Sequence, residues 1–252
     1  MLGDVLPAEA FGFLLVATRL VALIIVMPVL GDTSIPGRIR AGMGFLFSLV
    51  IYASVRSDLP PMPDNAFIVG SLLIREFVIG VIMGLATRIL LTATHTAGTV
   101  IAFQTGLAAA QSFDPAQGSQ SALVASFLTL VAITLIVVTD LHHLMILGMA
   151  NSFVKFPVGL GLPYTDFATV ITHYVSGAFL LGVHLAAPFI AYAVIYNLGL
   201  GLISRLIPGF QVFFIGMPIN LFMGFTLTMI LIGSIMQLFL ERFEELLVSF
   251  LG

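Results

Sequence analysis

The sequence predicts an all-α, polytopic integral membrane protein with about six hydrophobic helical segments. Of its 252 residues, 60% are hydrophobic and only 8% are charged, whereas about a quarter of the residues in a soluble domain are charged. The mean hydropathy is +1.16. Most apolar stretches reach the length of about 20 residues that a spanning helix needs. Strand-like alternation is absent, which disfavours an outer-membrane barrel.

The apolar stretches follow one another along a single predicted domain, residues 1–252. The second stretch is short for one crossing and the fifth is too long for one, so length alone does not predict simple up-and-down crossing. Prolines punctuate the two longest polar connections, residues 57–65 and 151–166. The apolar stretches are residues 10–30, 41–55, 66–91, 121–139, 167–200 and 212–240.

The first stretch carries a charge, Arg19, near its centre. A central arginine costs about 2.5–3.5 kcal/mol on insertion, so it needs a partner or a wet surface. Glu76, which follows Arg75 at the start of the third stretch, is the candidate partner. We favour a structural pairing, with contact to a transported molecule as the alternative. We class Arg75, Arg88 and Arg205 as structural charges too.

Glycines predict close helix packing with other chains. Gly80 and Gly84 form a Gly-xxx-Gly pair in the third stretch, which lets another backbone approach where packing drives association. Gly199 and Gly201 are a second candidate pair among the 24 glycines. We therefore expect the chain to assemble with other membrane chains.

Residues 106–121, between the third and fourth stretches, are small and almost uncharged. Lipid cannot satisfy the backbone of an irregular segment, so this one must lie in water, inside protein or along a polar cavity. At its far end Asp114 predicts a helix cap, Pro115 the first helical turn and Gln117 a reciprocal cap. The segment is either a moving or pore-lining part or an ordinary solvent loop.

No residues predict catalysis, a cofactor or a metal site. Asp140, His142 and His143 are interpreted as the end of a helix that leaves the bilayer, because no His-xxx-His or carboxylate-histidine helix pattern is present. No phosphate-binding loop, nucleophile elbow or dinucleotide fingerprint appears. An integral membrane enzyme is therefore the weaker class.

The charge pattern and the first residues exclude further classes. A net charge of -3 gives no footprint for nucleic acid, and the absence of cysteine excludes disulfides. Residues 1–10 carry Asp4 and Glu9 but no basic residue, so a cleavable signal peptide is not expected. Arginines fall on both sides of a six-crossing arrangement and leave the orientation open.

A set of motifs spreads over nearly the whole chain. They are Arg19, Pro28, Gly31, Ile35-Pro36 and Arg38-Ile39-Arg40; Glu76 to Gly80 with Gly84; Ala97-Gly98, Phe103 to Gly106 and Asp114-Pro115; and Asn197 to Gly201, Arg205, Pro208 and Gly216-Met217-Pro218. In combination they resemble one family, the FliR/SctT membrane subunit of the type III export gate, with the flagellar branch the better match. After the arginine that Arg205 matches, members often carry Pro-Gln-x-Asn, where this chain has Pro208 followed by Gly209, Phe210 and Gln211. The resemblance therefore implies no particular polar contact at that turn.

The resemblance implies a multi-pass subunit of the bacterial inner membrane at the flagellar basal body, without cofactor. One copy would join several copies of FliP-like and FliQ-like subunits in a closed helical ring, with an FlhB-like export switch protein as a further partner. Residues 1–200 would correspond to a FliP-like part, and residues 201–252 with the preceding helix to a FliQ-like hairpin. Much of the apolar surface would then be buried in protein rather than in lipid.

In this family the segment that matches residues 106–121 is a plug within the pore. Its small side chains offer weak dispersion contacts, while Leu107 and Phe113 can close an apolar constriction that still yields to an unfolded polypeptide. The implied plug residues are Gly106, Leu107, Ala108, Ala109, Ala110, Gln111, Ser112, Phe113, Asp114 and Pro115.

The predicted function is therefore non-enzymatic. With FliP-like and FliQ-like subunits, the chain would form the pore that conducts unfolded flagellar proteins across the inner membrane, in contact with membrane lipid but not with nucleic acid. The alternative is a small-molecule or ion permease subunit, in which the intramembrane charges would converge on one midplane site.

Overall fold

The computed structural model describes residues 2–32, 35–107, 121–159, 164–207 and 212–251. Within these ranges the chain forms seven α-helices, one short 3-10 helix after the second, and no strand, which confirms the predicted all-α fold. The helices are α1 (Leu2–Val26), α2 (Gly37–Val55), α3 (Ala66–Gln104), α4 (Ser121–Val138), α5 (Leu141–Lys155), α6 (Tyr164–Leu206) and α7 (Val212–Leu251).

Five helices in the described part of the chain are long and apolar enough to cross a membrane, or six if α4 and α5 count as one bent span. This agrees with the predicted number of about six segments. Helix α3 extends to Gln104, beyond the apolar stretch that ends at residue 91, because threonines and a histidine interrupt the apolar pattern without ending the helix.

Asn65 starts α3. Its side-chain Oδ1 accepts a hydrogen bond of 2.8 Å from the backbone N–H of Phe67, which satisfies one of the N–H groups that lack a partner in the first helical turn. The residues before it carry Pro60, Pro61 and Pro63 and form no α-helix. The connection predicted for residues 57–65 therefore lies between the end of α2 and the start of α3.

Asp140 separates α4 from α5. It lies in the left-handed region with φ 60°, which an aspartate tolerates better than most residues, and the two helices meet at 75°. The expectation of a polar connection over residues 151–166 is wrong at its start, because residues 151–155 belong to α5. The polar residues Asn151, Ser152 and Lys155 lie in a helix rather than in a loop.

The chain divides into two compact units, neither of which is a continuous stretch of sequence. Unit 1 comprises Met1–Leu90, Ile136–Val175 and Phe243–Gly252, and unit 2 comprises Leu91–Leu135 and Ser176–Arg242. The division at residue 200 that the family resemblance implies follows chain order instead, and it stays a prediction. Fully buried side chains of unit 1 include Leu15, Leu20, Leu23, Met145 and Met149. Those of unit 2 include Leu128, Ala132, Ala186, Phe189 and Phe239.

Candidate functional site

Arg19 is fully buried in unit 1, where three helices meet. Its Nε donates to Glu76 Oε2 at 2.6 Å, and its Nη2 lies 2.5 Å from the same oxygen. Nη1 donates to the Ser152 carbonyl oxygen at 2.7 Å and to Ser152 Oγ at 3.5 Å, and Nη2 donates to the Phe156 carbonyl oxygen at 2.8 Å. Because a guanidinium has five N–H groups, these contacts leave none for a transported molecule.

The carbonyl groups that Arg19 contacts belong to the end of α5. The last carbonyls of a helix have no partner within it and carry the negative end of its dipole, so a buried cation is stabilised there. The guanidinium carbon also lies 4.2 Å from the centroid of the Phe153 ring, a cation-π contact. Arg19 therefore joins α1 to α3 through a carboxylate and to α5 through backbone oxygens.

Sequence reasoning identified Glu76 as the partner of Arg19 but missed the contacts with α5, because a backbone carbonyl leaves no signature in residue type. Glu76 is itself fully buried, and its second oxygen, Oε1, has no hydrogen-bond partner in the described part of the chain. The pair is thus a buried charge contact in which one acceptor remains unused.

Gly80 and Gly84 allow α3 to approach α1 of the same chain. A Cβ at Gly80 would collide with the Arg19 carbonyl oxygen, and one at Gly84 would lie 2.9 Å from the Leu23 carbonyl oxygen. This Gly-xxx-Gly pair packs within the chain and sets the spacing that the Arg19–Glu76 pair requires. An added Cβ on Gly199 or Gly201 would meet no atom of the described residues within 4 Å, and their assignment to packing between subunits stays a prediction.

The other predicted structural charges make no hydrogen bond to this pair in the described part of the chain, although Arg75 directly precedes Glu76. Arg75 donates to the Pro157 carbonyl oxygen at 3.2 Å, and Arg88 donates to the Val26 carbonyl oxygen at 3.5 Å. Arg205 is exposed in the last turn of α6, where a cation complements the helix dipole.

Gly106 and Leu107 are the two predicted plug residues that fall in the described ranges. Gly106 has φ +80° and directly follows the last turn of α3, where the Thr105 N–H donates to the Ile101 carbonyl oxygen at 2.9 Å. A glycine in the left-handed conformation is a common way to end a helix. The eight predicted plug residues Ala108, Ala109, Ala110, Gln111, Ser112, Phe113, Asp114 and Pro115 lie outside the described residues.

An apolar cavity of about 570 Å³ lies in unit 2 beside this turn. The last turns of α3, the start of α4 and the middle of α7 form its wall, and Leu107 is part of it. The remaining lining residues are Ile101, Thr105, Leu123, Val124, Phe127, Gly224, Phe225, Thr228, Met229 and Ile232.

A polar cluster that sequence reasoning missed lies on the other side of the turn. The Asn220 side chain donates from Nδ2 to the Gln104 carbonyl oxygen at 3.4 Å and accepts at Oδ1 from the Tyr192 hydroxyl at 2.9 Å. One turn away, the Tyr196 hydroxyl donates to the Gly216 carbonyl oxygen at 2.5 Å. Two tyrosines four residues apart, and an asparagine within an apolar stretch, were the available signals.

Asp140, His142 and His143 place their potential ligand atoms within 4.8 Å of one another. His143 Nδ1 lies 3.5 Å from Asp140 Oδ1, and both side chains are largely exposed. The predicted absence of a metal site stays a prediction, because an exposed group of this kind is common without a metal.

Residues 10–246 match a protein family described as bacterial export proteins, family 1. The flagellar biosynthetic protein FliR of Caulobacter vibrioides is 36% identical over 236 residues, which cover 94% of each chain. The flagellar biosynthetic protein FliR of Bacillus subtilis is 28% identical, over 92% of this chain and 88% of its own. The Yop proteins translocation protein T of Yersinia pestis is 27% identical, over 87% and 85%.

Proposed function

The chain belongs to the bacterial export proteins, family 1, and we propose that it is a protein-conducting subunit of a flagellar type III export gate in the inner membrane. One observation carries this proposal: the match to flagellar biosynthetic proteins extends over nearly the whole of both chains. An accessory domain or a shared membrane anchor would match over a part only. The matching family is described by export rather than by an enzymatic reaction, which supports a non-enzymatic role.

The comparisons include flagellar proteins and Yop translocation proteins, and the flagellar branch is the better supported of these two. Identity to the FliR protein of Caulobacter vibrioides is 36%, compared with 27% to the Yop translocation protein of Yersinia pestis. Both relatives match over most of their length, so the difference does not come from partial coverage. These identities support our proposal that the chain acts at the flagellar basal body rather than in a Yop-type translocation system.

We propose FliP-like and FliQ-like subunits as neighbours in the gate, with an FlhB-like protein as a further partner. Helices α6 and α7 support this, because they leave large apolar side chains exposed. Leu206 is 79% exposed and Met229 is 84% exposed. Surfaces of this kind mark contacts with lipid or with other proteins. Gly199 and Gly201 on α6 add small residues, which favour helix packing.

We propose that residues 106–115 plug the pore. The turn at Gly106 ends α3 and directs the chain out of the helix, and the adjacent cavity presents an apolar wall to Leu107. Closure by such contacts requires no ion pair, so an unfolded polypeptide can displace it at low cost. Energy for transport would come from other components of the apparatus.

Deletion of Ala108 to Gln111 tests the plug. We expect the gate to assemble in the normal amount and the membrane to become permeable to ions and small molecules, because the deletion shortens the segment that fills the pore. The measurement is the uptake of a small impermeant dye, with the amount of assembled complex determined in parallel. An assembled gate that remains impermeable would rule out this role.

A detergent pull-down of the tagged chain followed by mass analysis tests the gate assignment itself. We expect FliP-like and FliQ-like subunits to be recovered with it. The permease alternative makes the opposite prediction, because the isolated chain would then transport a solute in liposomes. Recovery of the chain alone together with transport activity would overturn the proposal.

A further inference from the structure

Three residues of α7 spaced by four, Gly216, Asn220 and Gly224, form one stripe along that helix. The stripe contacts α6 at one end and α3 at the other, all within unit 2. At its first position the Gly216 carbonyl oxygen accepts from the Tyr196 hydroxyl at 2.5 Å. Along one face of α7 the stripe therefore presents, in order, a carbonyl that accepts a hydrogen bond at Gly216, a polar side chain at Asn220 and a position without a side chain at Gly224.

Gly224 is the position without a side chain. A Cβ at this position would lie 2.5 Å from both Cβ and Cγ2 of Thr105, which is too close for any larger residue. Thr105 is buried and lies between the last residue of α3, Gln104, and Gly106. Helix α7 thus approaches the chain closely at the turn from which the predicted plug begins.

Asn220 provides the side chain between these two contacts. Its Oδ1 is engaged by the Tyr192 hydroxyl at 2.9 Å, which leaves Nδ2 directed at the Gln104 carbonyl oxygen at 3.4 Å. Because the Gln104 carbonyl can only accept, it requires the Nδ2 end of the amide, and the Tyr192 hydroxyl holds the opposite end by donating to Oδ1. Tyr192 also stacks on Tyr196 with ring centroids 5.6 Å apart, which restricts its own movement.

The Gln104 carbonyl lies where α3 needs a partner. The last four carbonyl groups of a helix accept no hydrogen bond from a residue of the same helix. Gln104 is the last residue of α3, and Gly106 follows it in the left-handed conformation. An added Cβ on Gly106 would lie 3.1 Å from Asn220 Nδ2. Asn220 therefore donates to the final carbonyl of α3 and leaves no room for a side chain on Gly106, two residues later.

We propose that Asn220 is a positioning residue for the gate: held by Tyr192, it fixes the turn at Gly106 and so sets the direction in which the plug leaves α3. The inference rests on the proposed plug function. According to this inference, the stripe on α7 determines where the plug lies, and the residues of the plug itself do not.

Asn220→Asp tests this inference in the assembled gate. The substituted carboxylate keeps the shape and still accepts from Tyr192, but it has no N–H to donate to Gln104 and repels that carbonyl oxygen. We expect assembly in the normal amount and about tenfold faster dye leak, which corresponds to about 1.4 kcal/mol in the closed state. Tyr192→Phe removes only the hydrogen bond from the Tyr192 hydroxyl to Asn220 Oδ1. The rate of dye leak in this variant should therefore fall between those of wild type and Asn220→Asp.

Asn197→Asp is the matched control, because the Asn197 amide donates within its own helix, to the Ala193 carbonyl oxygen at 2.8 Å. It should seal as well as wild type. Equal leak from Asn220→Asp and Asn197→Asp, or a sealed Asn220→Asp gate beside a leaky deletion of residues 108–111, would overturn the inference and leave the plug intact. If the deletion variant also seals, the plug function itself fails.

Discussion

At the scale of single residues, the chain places an oppositely charged pair deep inside unit 1. Arg19 and Glu76 are both fully buried, and the guanidinium uses all its N–H groups within the chain. Desolvation makes such a pair a weak source of stability compared with apolar packing, but loss of one partner leaves an unpaired buried charge. The pair therefore specifies how α1, α3 and α5 meet more than it strengthens their contact.

Arg19→Ala should lower the free energy of unfolding by about 3–5 kcal/mol, because it leaves the Glu76 carboxylate buried without its cation. Thermal unfolding of the detergent-purified chain measures the effect. The double variant Arg19→Leu with Glu76→Leu should recover most of the stability. Arg88→Ala is the control, since its bond to the Val26 carbonyl is long, at 3.5 Å. A double variant as unstable as Arg19→Ala would contradict this account.

At the scale of helices, close approach depends on a few glycines rather than on the apolar pattern as a whole. Gly80 and Gly84 bring α3 onto α1, and Gly98 allows the backbone of Ala125 in α4 to approach α3. Substitutions at such positions force the helices apart, whereas glycines that face open space tolerate a side chain. Gly70, on the same helix α3, is of the second kind.

Gly80→Ala should destabilise the chain by about 1–3 kcal/mol, because the new methyl group meets the Arg19 carbonyl oxygen and forces α1 away. Gly70→Ala is the control on the same helix. It should be neutral or stabilising by about 0.5–1 kcal/mol, since alanine favours the helix over glycine. The measurement is the apparent Tm of each variant. Equal shifts of the Tm in Gly80→Ala and Gly70→Ala would contradict helix packing as the cause of the destabilisation.

Most helices could be predicted from the sequence because apolar length alone identifies a membrane segment. Helix α5 could not be predicted in this way, because the polar residues Asn151, Ser152 and Lys155 near its end are also typical of a loop. Only the structure shows that Arg19 binds the end of this helix. Within the candidate site the Arg19–Glu76 contact was predictable, because two charges in apolar stretches require each other. The bridge from Asn220 to Gln104 was not, because its acceptor is a backbone carbonyl that any residue would supply.

At the scale of the whole molecule, the exposed apolar surfaces are the candidates for the proposed contacts with other chains. Gly199 and Gly201 lie near exposed Leu198, Leu202 and Ile203 on α6. Small residues beside large apolar ones form the kind of surface onto which a second helix packs. The stability of the chain and the assembly of the gate are therefore expected to depend on different residues.

Gly199→Leu should leave the Tm of the isolated chain within about 2 °C of wild type, since the change affects an open surface only. Co-purification of the FliP-like and FliQ-like subunits should fall several-fold. Gly177→Leu is the control on the same helix, because Gly177 also faces open space among the residues that the structure describes, and this variant should co-purify its partners normally. Equal recovery of partners with both variants would contradict a packing role for Gly199.

Helices α6 and α7 contain 43 and 40 residues. At a rise of 1.5 Å per residue they are about 65 Å and 60 Å long, roughly twice the thickness of the hydrocarbon core. Tilts of up to about 40° do not remove such an excess, so a large part of each helix must lie outside the lipid. The apolar residues there would meet water until partner subunits cover them. The amount of partner synthesised in the cell should therefore limit how much of this chain escapes degradation.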